Sequence, residues 1–249
     1  MQGSWPTHPE VLDLLAHDFA RGPNAWDARA LLRRLVLSAA FRQSSVTSDA
    51  KRAKDPRNEL LSRGPSVRMT AEMLRDSALF ASGLLVEKFG GASVKPWQQP
   101  DLVAQSGASG GYSAGAGDDL HRRSLYTFRK RTVPPPTMLV FDGGSREACQ
   151  PRRFATNTPL QALAIFNDPV FTECARALAE RATREAPDRD ARIARAFRLA
   201  CSRAPRAAEL DALRELVATR VASGEQDELA ALTLACSTIL ASDAAVMSR

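Results

Sequence analysis

The chain has 249 residues, a hydrophobic share of 44%, a charged share of 25% and a formal net charge of +6. That apolar content suffices for a packed core, and no stretch approaches the ~20 consecutive apolar residues that a membrane-spanning helix needs. The opening Met1-Gln2-Gly3-Ser4-Trp5-Pro6 has neither the basic start nor the apolar run of a secretory signal.

Thr7-His8-Pro9-Glu10 reads as a capping box, in which the threonine hydroxyl accepts from a first-turn amide and the glutamate reaches back. Val11, Leu12, Leu14, Leu15 and Phe19 follow at helical spacing until Gly22-Pro23. Asp27 caps a second helix carrying Leu31, Leu32, Leu35, Val36 and Ala39. Residues 44–68 are polar and broken by Pro56, Gly64 and Pro65, which predicts a connection with one helical turn at Asn58-Glu59-Leu60-Leu61. Thr70 caps a third helix through Met73, Leu74, Ala78 and Leu79, ending at Gly83 or running on to Phe89. Residues 90–120 lack periodicity, and their Gly/Ser-rich part predicts a long flexible loop.

Ser124-Leu125-Tyr126-Thr127-Phe128 alternates as a short strand does, and Met138-Leu139-Val140-Phe141 offers a second, with Pro134-Pro135-Pro136 keeping the path between them extended. The last hundred residues read as helices in series. Thr158-Pro159-Leu160-Gln161 and Asp168-Pro169 each place proline at a first helical position. Further helices are marked by Ile193 to Ala200, by Leu210 to Val217 and by Leu229 to Leu240. The predicted fold is mainly α: an irregular helical bundle with a short β-ribbon and a long Gly/Ser-rich loop.

The charge is unevenly placed. Residues 121–153 hold 8 Lys+Arg against 2 Asp+Glu, while the segments before and after are nearly neutral. The excess is therefore a local patch, centred on His121-Arg122-Arg123-Ser124-Leu125-Tyr126-Thr127-Phe128-Arg129-Lys130-Arg131 with Arg152-Arg153 beyond. Guanidinium forks match carboxylate, sulfate or phosphate. The cluster either binds an anionic ligand or pairs with carboxylates such as Asp142, Glu147 and Asp168. Nucleic acid is disfavoured, because one aromatic pair accompanies the charges.

Other motifs carry less. Gly111-Tyr112-Ser113-Ala114-Gly115 fits a hydrolase nucleophile pattern, yet its flanks are small and polar where a strand and a helix are needed. Cys149, Cys174, Cys201 and Cys236 are far apart, which argues against structural zinc and covalent haem; the last three fall in apolar helical patterns and read as buried residues. His8, His17 and His121 show no metal-ligand spacing, and Arg75-Asp76 reads as a structural ion pair.

Eight ordered strings carry a resemblance. They are residues 7–16 (Thr7 to Ala16), 37–44, Asp55-Pro56-Arg57-Asn58, Arg75-Asp76 with Ser82-Gly83, Arg122-Arg123-Ser124-Leu125-Tyr126, Phe141-Asp142, 159–163 with Asn167, and 195–200. Together they resemble the planctomycete-type domain-of-unknown-function family 1553, the PSD-type C-terminal domain, across nearly the whole chain. The resemblance implies a single module over 1–249, forming the C-terminal part of a larger exported protein of cell-envelope or polysaccharide metabolism. A partner domain would precede it, with haem in a neighbouring domain of longer members and none in this chain. Arg33 and Ser62 stand where histidine and tryptophan are common in the family, and Ala241-Ser242-Asp243-Ala244-Ala245 lacks the usual ending.

Two functions are consistent with these residues. One is a non-catalytic binding module that engages a partner domain or an anionic glycan through Arg122, Arg123, Tyr126, Arg129, Arg131, Arg152 and Arg153. The other is part of an active site shared with a missing N-terminal domain. It predicts a cleft where Arg123, Tyr126, Asp142, Arg153, Asn157 and Gln161 converge.

Overall fold

The computed structural model describes residues 5–98, 112–130, 134–144, 153, 155–224 and 227–248. The chain divides into two compact units, 1–67 with 248–249, and 68–247. Most of the described residues are helical, and the one named sheet pairs two-residue strands, Val67–Arg68 and Met247–Ser248.

In the first unit, helices α1 (Pro9–Arg21) and α2 (Ala28–Leu37) form where the apolar spacing predicts. Asp27 accepts from Arg29 and Ala30 amides at 2.9 and 3.0 Å, fixing the start of α2. The box expected at Thr7 is not made. His8 is the N-cap, its Nε2 lies 2.7 Å from the Glu59 carbonyl, and Pro9 takes the first helical position. Asp18 pairs with Arg34 between the helices, and Phe19 meets Trp26 edge-on at 5.3 Å. A short helix α3 (Asp49–Lys54) lies in the expected connection, with the Ser48 hydroxyl accepting from Lys51 N–H. The turn of helix expected at 58–61 is absent: the Asp55 carboxylate takes the Glu59 and Leu60 amides, both at 2.9 Å, and Asn58 adopts φ +56°. No helix of this unit contains a buried residue.

The second unit holds the core. Helix α4 (Ala71–Ser82) is capped by Thr70, whose hydroxyl accepts from Met73 N–H, and it ends at Gly83 in the left-handed region, φ +82°. A side chain there would be strained, which explains why the helix stops short of Phe89. Helix α5 (Pro136–Val140) replaces the second expected strand. Pro136 sits at its first position, where a missing N–H costs nothing, and Met138 and Phe141, three apart, are both buried.

Helix α6 (Pro159–Asn167) begins at Thr158, whose N–H donates to Gln161 Oε1 at 3.4 Å. Helix α7 (Pro169–Glu185) begins at Asp168, which accepts from Val170 N–H at 2.8 Å. Helices α8 (Arg189–Cys201), α9 (Ala207–Ala222), α10 (Glu228–Ala241) and α11 (Asp243–Val246) complete the bundle. Its centre is the packing of α10 on α7 and of α7 on α4. Cys174, Ala175, Leu178, Ala179 and Ala182 of α7 and Ala231, Ala235, Cys236 and Ile239 of α10 all lie in this core, essentially without solvent exposure. Small residues there let the helix backbones approach closely while Leu178 and Ile239 fill the gaps, each fully buried aliphatic contributing about 1.5–3 kcal/mol.

Candidate functional site

The other expected strand, 124–128, is also corrected. Ser124–Tyr126 forms a turn of 3-10 helix, closed by Tyr126 N–H to the Arg123 carbonyl at 2.9 Å. The cause lies on α4. The Asp76 carboxylate takes the Ser124 amide at 2.7 Å, and Arg75 donates to the Arg122 carbonyl at 2.8 Å, the Leu120 carbonyl at 2.6 Å and Ser124 Oγ at 3.3 Å. These groups leave no ladder for Ser124, and pairing resumes only at the Val94–Thr127 bridge. Arg75 and Asp76 stand 3.9 Å apart. Both turn mainly to the backbone of 120–124, and burial pulls Arg75 below the ordinary arginine pKa while the Asp76 charge opposes this.

The basic segment splits by direction. Arg122 is 3% exposed. It donates to the Lys88, Gly90 and Ala92 carbonyls at 2.8, 2.6 and 3.3 Å, and its guanidinium lies 3.9 Å from the Tyr126 ring centroid. The Tyr126 hydroxyl in turn accepts from Gly90 N–H at 2.9 Å. This pair staples the 88–92 loop. By contrast, Arg123, Arg129 and Arg153 meet carboxylates on the outer side of α4. Arg123 Nε lies 3.5 Å from Asp76, while Arg129 and Arg153 approach Glu72 at 3.7 and 2.7 Å. Burial alone would raise the Glu72 carboxyl, but the Arg153 hydrogen bond and the charges of Arg153 and Arg129 outweigh it and hold its pKa low. Arg131 and Arg152 lie outside the described residues, as does Glu147.

These three arginines line a groove of about 700 Å³ with Glu72, Asp76 and Glu87. Apolar side chains share the lining: Met73, Phe80, Phe89 and Leu125 are 48, 62, 80 and 74% exposed. The apolar walls escaped the sequence reading. On α4, Met73, Ser77 and Phe80 recur at i, i+4 and i+7 on the side opposite Leu74, Ala78 and Leu79. A helix with apolar residues on two faces is the signal that could have found them.

The remaining site residues lie elsewhere. Asp142 adopts φ +57° after α5 and binds Thr156 through its N–H at 2.7 Å and its hydroxyl at 2.9 Å. Gln161, with 0% exposure, donates to the Val140 carbonyl at 2.9 Å and Thr156 Oγ1 at 3.0 Å. Gly143 closes this turn with its N–H 2.6 Å from the Met138 carbonyl; a Cβ would meet that oxygen at 2.5 Å. Asn157 Oδ1 accepts from Arg68 at 3.0 Å, beside a pocket of about 340 Å³. Of the six residues expected in one cleft, Arg123 and Arg153 share the groove, and Tyr126, Asp142, Gln161 and Asn157 do not line it.

Ser113 is exposed, and residues 112–116 carry no helix or strand; Gly111 lies outside the described residues, as do 99–110 of the predicted loop. Burial pushes the Cys174, Cys201 and Cys236 thiols up to about 12, and Cys149 lies outside the described residues. His121 Nε2 lies 3.1 Å from Glu173, and His17 is exposed. Among the described residues no group of three or more His, Cys, Asp or Glu could hold a metal ion, and no helix is long and apolar enough to cross a membrane.

The chain matches the family model PSD1, "Protein of unknown function (DUF1553)", over residues 1–217, and it belongs to that family. None of the curated proteins and none of the solved structures matches it.

Proposed function

We propose that this DUF1553 member is a non-catalytic binding module whose groove on the outer side of α4 receives a segment of a partner domain. One observation carries the reading: Met73, Phe80, Phe89 and Leu125 are exposed around a cavity whose three arginines already face Glu72 or Asp76. Arg123, Arg129 and Arg153 each face Glu72 or Asp76, so a free anion or anionic glycan would compete with a resident carboxylate. A protein segment gains by covering the apolar walls and uses the charged row for register. The shared active site needs Tyr126, Asp142, Asn157 and Gln161 beside the arginines, and the groove geometry does not favour it. The family resemblance supports an exported protein of cell-envelope or polysaccharide metabolism, with the unknown-function domain that precedes the module in longer members as partner.

The test titrates that preceding domain, expressed separately, into this chain by calorimetry. Phe80→Asp with Leu125→Asp removes two large apolar contacts of ~1.5–3 kcal/mol each, so affinity falls at least tenfold while far-UV circular dichroism stays constant. Heparin serves as the anionic-glycan probe. Heparin binding that disappears in Arg123→Ala, with no domain binding, would refute the partner reading.

A further inference from the structure

The three carboxylates of the groove are not equivalent. Glu72 meets Arg129 and Arg153 at 3.7 and 2.7 Å. Asp76 meets Arg123 at 3.5 Å and also takes the Ser124 amide at 2.7 Å. Glu87 lines the same cavity and is exposed, and no cation among the described residues lies within 4 Å of it. Glu87 and Arg123 each stand one residue beyond the Val86–Arg122 bridge, yet Arg123 turns its Nε to Asp76. Lys88, next to Glu87 in the chain, does not line the cavity.

This asymmetry decides which charge can enter. An incoming carboxylate has to draw Arg123 or Arg153 away from Asp76 or Glu72, because Arg129 is almost fully covered. An incoming cation meets Glu87 and displaces nothing. The neighbouring side chains favour the same sign. Phe89, two residues on, and Phe80 both line the cavity with largely exposed rings. An aromatic face attracts ammonium and guanidinium groups, whose apolar stems also pack on it. The basic segment 121–153 alone suggests an acidic partner; the pairing on α4 reverses that expectation.

We propose that the groove holds a cation subsite, in which Glu87 and the Phe89 ring take a lysine or arginine of the incoming segment while its apolar neighbours cover Phe80 and Leu125. The proposal rests on the reading of the groove as a partner site and adds the sign of the charge that it selects.

Two small probes with one apolar body and opposite charges, 4-phenylbutylamine and 4-phenylbutyrate, test the subsite on the full chain without the preceding domain. Each is titrated at neutral pH and followed by amide chemical shifts. The amine moves the resonances of residues 80–89 and 125 and binds at least ~threefold more tightly than the carboxylate, a ratio of the size that one exposed ion pair and one ring contact supply. Glu87→Gln abolishes that preference and Glu87→Lys reverses it; the position is exposed, so both variants keep the fold. Equal or tighter binding of the carboxylate to wild type, an amine preference that survives in Glu87→Gln, or no shift with either probe overturns the subsite. The preceding domain separates the two readings. If Phe80→Asp with Leu125→Asp weakens its binding and Glu87→Lys does not, the cation subsite fails and the partner site stands. If the domain does not bind while the amine preference depends on Glu87, the partner reading fails and the subsite stands.

Discussion

The arginine segment is divided between residues that hold the fold and residues that line the groove, and replacing Arg122 measures the division. Arg122→Met keeps most of the buried stem and removes the fork. Two short hydrogen bonds, to the Lys88 and Gly90 carbonyls at 2.8 and 2.6 Å, are lost. Charged hydrogen bonds contribute about 1.5–3 kcal/mol each net, and the guanidinium over Tyr126 adds ~1–2 kcal/mol. Relief from burying a charge offsets part of this, by several kcal/mol at most. The net cost is about 3 kcal/mol, which lowers the melting temperature of a unit this size by roughly 6–12 °C. Because the chain has two units, the global melt is supplemented by hydrogen exchange over residues 86–94, whose Gly90 and Val94 amides are held by the Tyr126 hydroxyl and carbonyl. These amides exchange faster in the variant. Arg123→Met is the control: its side chain is 47% exposed and 3.5 Å from Asp76, so it changes stability by about 0–1 kcal/mol. Equal effects of the two substitutions, or unchanged exchange in Arg122→Met, would refute the division.

Three further outcomes test other parts of the structure. Asp168 caps α7 and accepts from Thr137 Oγ1, so Asp168→Ala loses about 1–2 kcal/mol in urea unfolding, with part of that loss absent when Thr137 is already valine. The Arg203 fork holds the Glu209 carboxyl down at about 2. Its contribution is present above the unfolded value of ~4.3 and is lost as pH falls towards 2, so the stability gap between wild type and Glu209→Gln closes across that window; a gap independent of pH would disprove the pairing. Cys174 and Cys236, buried and with thiols pushed up to about 12, resist iodoacetamide at pH 8 in the native chain and react in urea, as peptide mass spectrometry reports.

Helices were legible wherever the apolar period exceeded two turns. The stripes through Leu12, Leu35, Leu74, Leu178, Phe197, Leu213 and Ile239 each mark a helix, because residues three and four apart gather on one helix face. The two expected strands failed for different reasons. At 138–141 the run is too short for its period to separate strand from helix, and Pro136 decides for a helix start. At 124–128 the alternation is present, but Arg75 and Asp76, nearly fifty residues earlier, capture the backbone groups that a ladder would use. The same separation hid the site. The charge excess of 121–153 was visible, while Asp76 was read only as the ion partner of Arg75, and Glu72, which meets Arg129 and Arg153, belongs to no motif. Asp142 was expected among the arginines' partners and instead serves Thr156.

Helix α4 therefore determines how the groove can recognise anything. Its inner face is fixed in the core through Leu74, Ala78 and Leu79, and Arg75 and Asp76 lock the 120–124 backbone to its flank. The groove walls on its outer face are consequently preorganised, which lowers the ordering cost of binding. Three arginines and three carboxylates line the cavity, and each Glu72 or Asp76 contact lies within 4 Å, shorter than the Debye length of ~8 Å at physiological salt. Fields from such pairs largely cancel before they reach an approaching partner. A segment arriving here is selected at contact, by how well it fills the space between Phe80, Phe89 and Leu125, and the paired charges act on its register after the water has left.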